Sequence, residues 1–221
     1  MQLRRAWSMA VLGSGLTALA ACSTAPPPAP VIPRPAEFTP LGLGAAYLSG
    51  DVISGRKARA AKLRAAKIKP LTASGAAQYL ASMDNELRAQ TAGIGVDVLR
   101  VGDSILIRIP ASLTFDSGSS TVKPQFDATL KEVARTVRTR NQSFVDVLAH
   151  TDTSGSPQVN LALSQKRASA VATYLSGHGV AKARIASKGY GETAPLYNPD
   201  VTEDQKAANR RVEIRLVPYR A

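Results

Sequence analysis

Two oppositely charged residues carry the chemistry that this sequence can most readily perform. Asp152 sits in the turn Thr151-Asp152-Thr153-Ser154-Gly155, just past the strand-like run 144–149. Arg167 follows two to three turns into a helix read over residues 157–176. A helix folding back over the turn can bring the two side chains to opposite sides of one pocket. Held apart there, a carboxylate and a guanidinium make a receptor for a zwitterion; allowed to meet, they make a structural ion pair. The spacing leaves both outcomes open.

Hydrolysis is the competing chemistry, because His150 and Asp152 lie near serines. No Gly-x-Ser-x-Gly elbow surrounds a nucleophile, and no His-Glu-x-x-His occurs. The only other histidine, His178, falls near a helix end, and two histidines with one cysteine cannot build the common zinc sites. Gly42 and Gly44 lack a preceding strand and a third glycine, which removes a dinucleotide loop. The expectation is a binding protein with no catalytic residue, no metal and no cofactor. His150 is expected to order its loop through hydrogen bonds.

The elements that must position the pair are legible from periodicity. Tyr79, Leu80, Met83 and Leu87 form one stripe of a helix over 74–90, stopped by Gly93 and Gly95. Two strand-like runs, 96–101 and 104–109, are joined by Gly102-Asp103. The loop Phe115-Asp116-Ser117-Gly118 leads to a helix over 124–140 whose apolar face is Phe126, Leu130, Val133, Ala134 and Val137. A strand over 144–149 and the helix over 157–176, with Pro157 at its start, precede short strands over 184–189 and 211–217. The order β-β-α-β-α-β-β predicts an α+β sandwich with helices on one face of a sheet. Arg211, Glu213 and Arg215 alternate on one strand face and read as a solvated ladder, while Arg210 stands between that role and the loops.

Five segments together resemble the OmpA-like family of peptidoglycan-associated proteins. They are Leu113-Thr114-Phe115-Asp116-Ser117, Ala149-His150-Thr151-Asp152-Thr153-Ser154-Gly155, the stretch from Asn160 to Ala168, Gly189-Tyr190-Gly191-Glu192 and Asn209-Arg210-Arg211-Val212-Glu213. Ala149 departs from the family's usual glycine. The resemblance implies a β-α-β-α-β-β sandwich on a mixed four-stranded sheet, here with an N-terminal helix and β-hairpin extension. It also implies non-covalent binding of peptidoglycan through the free end of meso-diaminopimelate in the stem peptide. Asp152 would take the ammonium and Arg167 the carboxylate, with Thr151, Ser154, Asn160, Phe115, Asp116 and Arg210 lining the pocket. The alternative is a structural or assembly lipoprotein of the envelope without affinity for the wall.

The N-terminus supplies the address. Arg4 and Arg5 precede the uncharged, mostly apolar stretch 7–19, which suits the core of a secretory signal and is short for a bilayer span. Leu19-Ala20-Ala21-Cys22 then resembles the lipobox of bacterial lipoproteins, in which the cysteine is lipidated and becomes the new N-terminus. Ser23, not aspartate, follows it and favours the outer membrane, with the domain facing the periplasm. Prolines from Pro26 to Pro40 make an extended spacer. The formal charge of +12 would suggest nucleic acid inside a cell; export argues against that partner, while other envelope proteins stay open. The densest charge is the block 56–69, seven Lys/Arg and no acid, read as a solvated helix or tether. The expected organisation is a signal peptide (1–21), a lipidated Pro-rich and basic tether (22–72), a helical lead-in (73–94) and the binding domain (95–218).

Overall fold

Each long helix starts and stops where local chemistry dictates. The computed structural model describes Ile53 and residues 55–220. The signal, Cys22 and the proline-rich spacer lie outside the described residues. Helix α1 (Arg56–Ala65) comes first. Helix α2 (Ala73–Thr91) opens on Thr72, whose hydroxyl accepts from Gly75 N. The hairpin β1 (Asp97–Val101) and β2 (Ser104–Pro110) runs into a single turn of helix, α3 (Ala111–Thr114). Helix α4 (Pro124–Thr139) begins on its proline, and β3 (Ser143–His150) follows. Helix α5 (Pro157–Gly177) is capped by Ser156, whose Oγ accepts from Val159 N at 3.3 Å. A 3₁₀ turn (Lys182–Arg184), β4 (Ile185–Gly191), α6 (Glu203–Asn209) and β5 (Arg211–Pro218) complete the chain.

The fold is the α+β sandwich that periodicity and resemblance predicted, with a mixed sheet and helices packed on it. Strand order is β1-β2-β5-β3-β4; only β3 and β4 pair in parallel. The hairpin extension does not stand apart, since β1 adds a fifth strand at the edge of the expected four. On one face Ile105, Ile107, Ile109, Val145, Val147, Val212 and Ile214 meet Leu80, Met83, Leu130, Val133 and Val171 from α2, α4 and α5. Ala149 lies in this core, so its methyl group is packed rather than obstructive.

Two local features aim the chain at the site. A Cβ on Gly189 would come within 2.2 Å of Gln165 N, so only glycine lets α5 settle this closely on β4. The register of β3 against β4 also shifts at Ala149/His150, leaving Tyr190 as an extra residue on β4. The bulge sits at the strand rim, where the chain enters the Asp152 turn.

The second face of the sheet overturns two expectations. Arg211, Glu213 and Arg215 are not a solvated ladder: their exposures are 1%, 0% and 4%. Arg211 Nε meets Glu213 Oε1 at 2.8 Å, and its Nη2 donates to Ala194 O at 3.1 Å, so the loop after β4 covers the face. Nor is the block 56–69 wholly solvated. Helix α1 buries Leu63 against Ile68, Phe144, Val217 and Tyr219. Arg59 reaches inward to pair with Asp146 Oδ1 at 2.6 Å and donates to Arg184 O at 2.5 Å. One cation on an otherwise basic helix thus meets a buried carboxylate of β3.

Candidate functional site

Asp152 begins the site because the bulged strand end delivers it there. Its Oδ1 accepts from Ser154 N at 3.1 Å, an Asx turn that fixes the carboxylate direction. Its Oδ2 pairs with Arg210 Nη1 at 2.5 Å. Asn160, in the first turns of α5, donates to Asp152 O at 3.3 Å and Ser154 O at 3.0 Å, and its Nδ2 also reaches Glu192 Oε2 at 2.7 Å. Asp152 and Asn160 are both buried, at 7% and 5% exposure.

Arg167 comes from the same helix and points at a different loop. Its Nε donates to Ser119 O at 2.8 Å and its Nη2 to Asp116 O at 3.2 Å. The guanidinium lies over the ring of Phe115, 5.2 Å from the centroid. Among the described residues no carboxylate comes within ion-pair distance of it. Burial lowers its pKa from the usual arginine value, the charge of Arg210 adds to that, and Asp152 opposes it. Arg167, Arg210 and Asp152 therefore share one electrostatic site, and the direct ion pair is Asp152–Arg210. The alternative of an Asp152–Arg167 structural pair is not what forms.

The remaining expected residues divide by which atoms they offer. Thr151 bonds Gly191 O through its backbone N–H at 2.9 Å, and its buried hydroxyl has no partner among the described residues. Ser154 contributes backbone N–H and carbonyl. Asp116 holds Arg167 through its carbonyl, whereas its exposed carboxylate pairs with Lys123 at 3.1 Å. His150 is a correction. It is fully buried, stacked on Tyr190 with centroids 5.2 Å apart, and neither ring nitrogen makes a close hydrogen bond. Burial, then the charges of Arg211 and Arg108, hold its ring well below the usual histidine value, against a weaker pull from the Ala194 backbone. It packs; it does not order the loop by hydrogen bonding.

Sequence reasoning missed the brace behind the turn. Asp200 accepts from Thr153 N at 3.0 Å and from the Thr153 hydroxyl, and Asn209 Nδ2 donates to it at 2.9 Å. Burial pushes the Asp200 carboxyl up, but those hydrogen bonds outweigh it and leave it lowered. Asn209 also accepts from Leu196 N and Tyr197 N at 2.7 and 3.1 Å, locking the loop that carries Asp200. Both residues depend on α6, whose start was readable: Thr202 and Gln205 form a capping box. That helix ends at Arg210, and Glu203 on its first turn stands 3.8 Å from Arg210 Nη2.

Comparisons with known proteins bear on the family and the fold. Residues 114–210 match the OmpA family. Over 220 residues, 97% of this chain and 99% of the relative, the sequence is 35% identical to "Probable lipoprotein YiaD" of Escherichia coli (strain K12). Outer membrane porin F of Pseudomonas fluorescens is 38% identical over 108 residues, which is 49% of this chain and 33% of that protein. Among solved structures, the cell wall anchor of the T6SS from Pseudomonas aeruginosa shares 27% identity with a TM-score of 0.52, covering 64% of this chain and 96% of that one. A MotB-like protein from Desulfovibrio vulgaris, 23% identical, covers 66% of this chain and 92% of its own with a TM-score of 0.59, and shows the fold alone.

Proposed function

The chain belongs to the OmpA family, and from that premise we propose that it is an outer-membrane lipoprotein that grips peptidoglycan without covalent bonds, facing the periplasm. It is a binding domain rather than an enzyme. The ligand is the free end of meso-diaminopimelate, an ammonium and a carboxylate on one carbon. Asp152 takes the ammonium; Arg167 takes the carboxylate. Cys22 carries the lipid that ties the domain to the membrane.

One observation carries the reading. Arg167 is a buried guanidinium held on two neutral carbonyls and an aromatic ring, with no carboxylate of its own among the described residues. Burying a cation without a counter-ion is costly, so such a site favours an anion that arrives from outside. The ion-paired Asp152 beside it supplies the opposite pole. The structural match to a cell wall anchor supports the same assignment.

The test compares two walls. Purified sacculi with diaminopimelate at the third stem position should retain the chain, and lysine-type sacculi, which lack the side-chain carboxylate, should not. Equal retention on both would overturn the assignment of Arg167. Lipidation is read separately from the intact mass of membrane-extracted protein, where an unmodified Cys22 would remove the anchor.

A further inference from the structure

The pairing of Asp152 with Arg210 leaves two opposite charges of the site without an ionic partner among the described residues. Arg167 is one, held on backbone carbonyls. Glu192 is the other. Its Oε2 accepts from the neutral amide of Asn160 at 2.7 Å, and among the described residues no cation stands within ion-pair distance of it. Its Oε1 has no hydrogen-bond partner among the described residues. The side chain is half-buried and that oxygen is not sealed in the interior, so it can be reached from outside.

Backbone geometry holds Glu192 beside Asp152. His150 and Gly191 are paired at the ends of the parallel strands β3 and β4, and Thr151 N donates to Gly191 O at 2.9 Å, so the two chains leave the sheet as neighbours. Gly191 N donates to Ser164 Oγ at 2.8 Å, and a Cβ there would come within 3.0 Å of Leu161 N, which seats this strand end on α5. Asn160 then joins the two acids: the same Nδ2 donates to Asp152 O, Ser154 O and Glu192 Oε2. Asn160 and Arg167 are both buried on α5, and their positions lie about 10 Å apart along its axis. Two long side chains with a small zwitterion between them span such a distance.

We propose that Glu192 is the counter-charge of the ligand's ammonium, held jointly with Asp152, and that it restricts binding to stem peptides whose side-chain amine is free; this rests on the wall-binding reading of Asp152 and Arg167. Charge then closes around the bound ligand. Asp152 matches Arg210, Arg167 matches the ligand carboxylate, and Glu192 matches the ammonium. An ammonium offers three donors, so it serves both carboxylates at once. Once that nitrogen is acylated, as in the cross-link of an acceptor stem, it is neutral and offers a single N–H. Glu192 then faces the amide with its charge unmatched, which penalises binding of the acylated stem.

Calorimetric titration tests it, using the full chain extracted from membranes in detergent. The two probes are a diaminopimelate muropeptide monomer and the same monomer acetylated on its side-chain amine. The wild type should bind the free amine at least about tenfold more tightly than the acetylated form. Glu192→Gln keeps an acceptor for Asn160 Nδ2 and removes the charge, so it should melt with the wild type. Its affinity for the free amine should fall about tenfold, while that for the acetylated form stays within about twofold of the wild type. Equal weakening toward both probes would make Glu192 a strut for Asn160 and overturn the proposal, as would an unchanged preference. Glu132→Gln makes the same charge change on the exposed side of α4 and should leave the preference intact; an equal loss there would reduce the effect to net charge and overturn it as well. The two readings fail differently. A wild type that binds neither probe removes wall binding itself, whereas a wild type that prefers the free amine beside an unaffected Glu192→Gln removes Glu192 alone.

Discussion

Replacing Arg167 by lysine keeps the charge and removes the fork, which makes it the most informative change in the site. On the proposed reading one guanidinium performs two tasks in the wild type. Nε and Nη2 hold Ser119 O and Asp116 O, and the proposal assigns the remaining edge to the ligand carboxylate. An ammonium presents its donors from one point and cannot hold both carbonyls and a carboxylate. Losing one charge-assisted bond to the ligand costs about 1.5–3 kcal/mol, or roughly a 10- to 150-fold weaker Kd. Losing one carbonyl partner destabilises the fold by about 1–3 kcal/mol, which for a domain of this size lowers Tm by roughly 2–12 °C. Calorimetric titration with a diaminopimelate-ended muropeptide reads the first effect, and a thermal melt the second. Affinity within twofold of wild type, alongside the drop in Tm, would refute the reasoning: Arg167 would then be a strut for the 116–119 loop and not a ligand group.

Four other changes probe the surrounding framework. Asp152→Asn preserves the acceptor for Ser154 N but removes the charge that pairs with Arg210, so muropeptide affinity should fall about 10- to 100-fold, with Tm lowered by the loss of that pair. Arg59→Met strands the buried Asp146 carboxylate and should cost about 3–5 kcal/mol in urea unfolding, whereas Lys62→Ala on the exposed side of α1 should stay within about 0.5 kcal/mol. His150 is held neutral in the fold, so the unfolded chain gains a proton first; stability is full above the ordinary value of 6.5 and falls with pH below it. His150→Phe, which keeps the stack on Tyr190, should remove that slope of at most about 1.4 kcal/mol per pH unit, as measured by Tm between pH 7 and 5. Asp200 has the lowered carboxyl, so its contribution is present above the ordinary value of 3.8 and lost as pH falls through the native one; Asp200→Asn should flatten the acid limb of the same Tm profile.

Much of this protein was legible in order along the chain. The stripe on α2, the proline and serine at the start of α5, and the alternation in β2 are local patterns, and local patterns report local structure. The Asp152 turn and Arg167 were likewise marked by type and spacing, and the family resemblance rested on motifs that survive as contiguous segments. Helix α6 could have been read from its Thr202 capping box and was not, because its seven residues offer no apolar period. What no local pattern carries is which face of an element is covered. The ladder of Arg211, Glu213 and Arg215 looks solvated along the strand, yet the loop after β4 buries it. The block 56–69 looks like a free polyelectrolyte, yet Asp146, more than eighty residues away, makes Arg59 an internal anchor. Partner choice was decided the same way. Sequence spacing set Asp152 against Arg167, while the end of α6 placed Arg210 on Asp152 and left Arg167 to backbone carbonyls. Charged groups in a folded protein pair with whichever opposite charge the packing brings within a few ångströms, and packing depends on the whole chain.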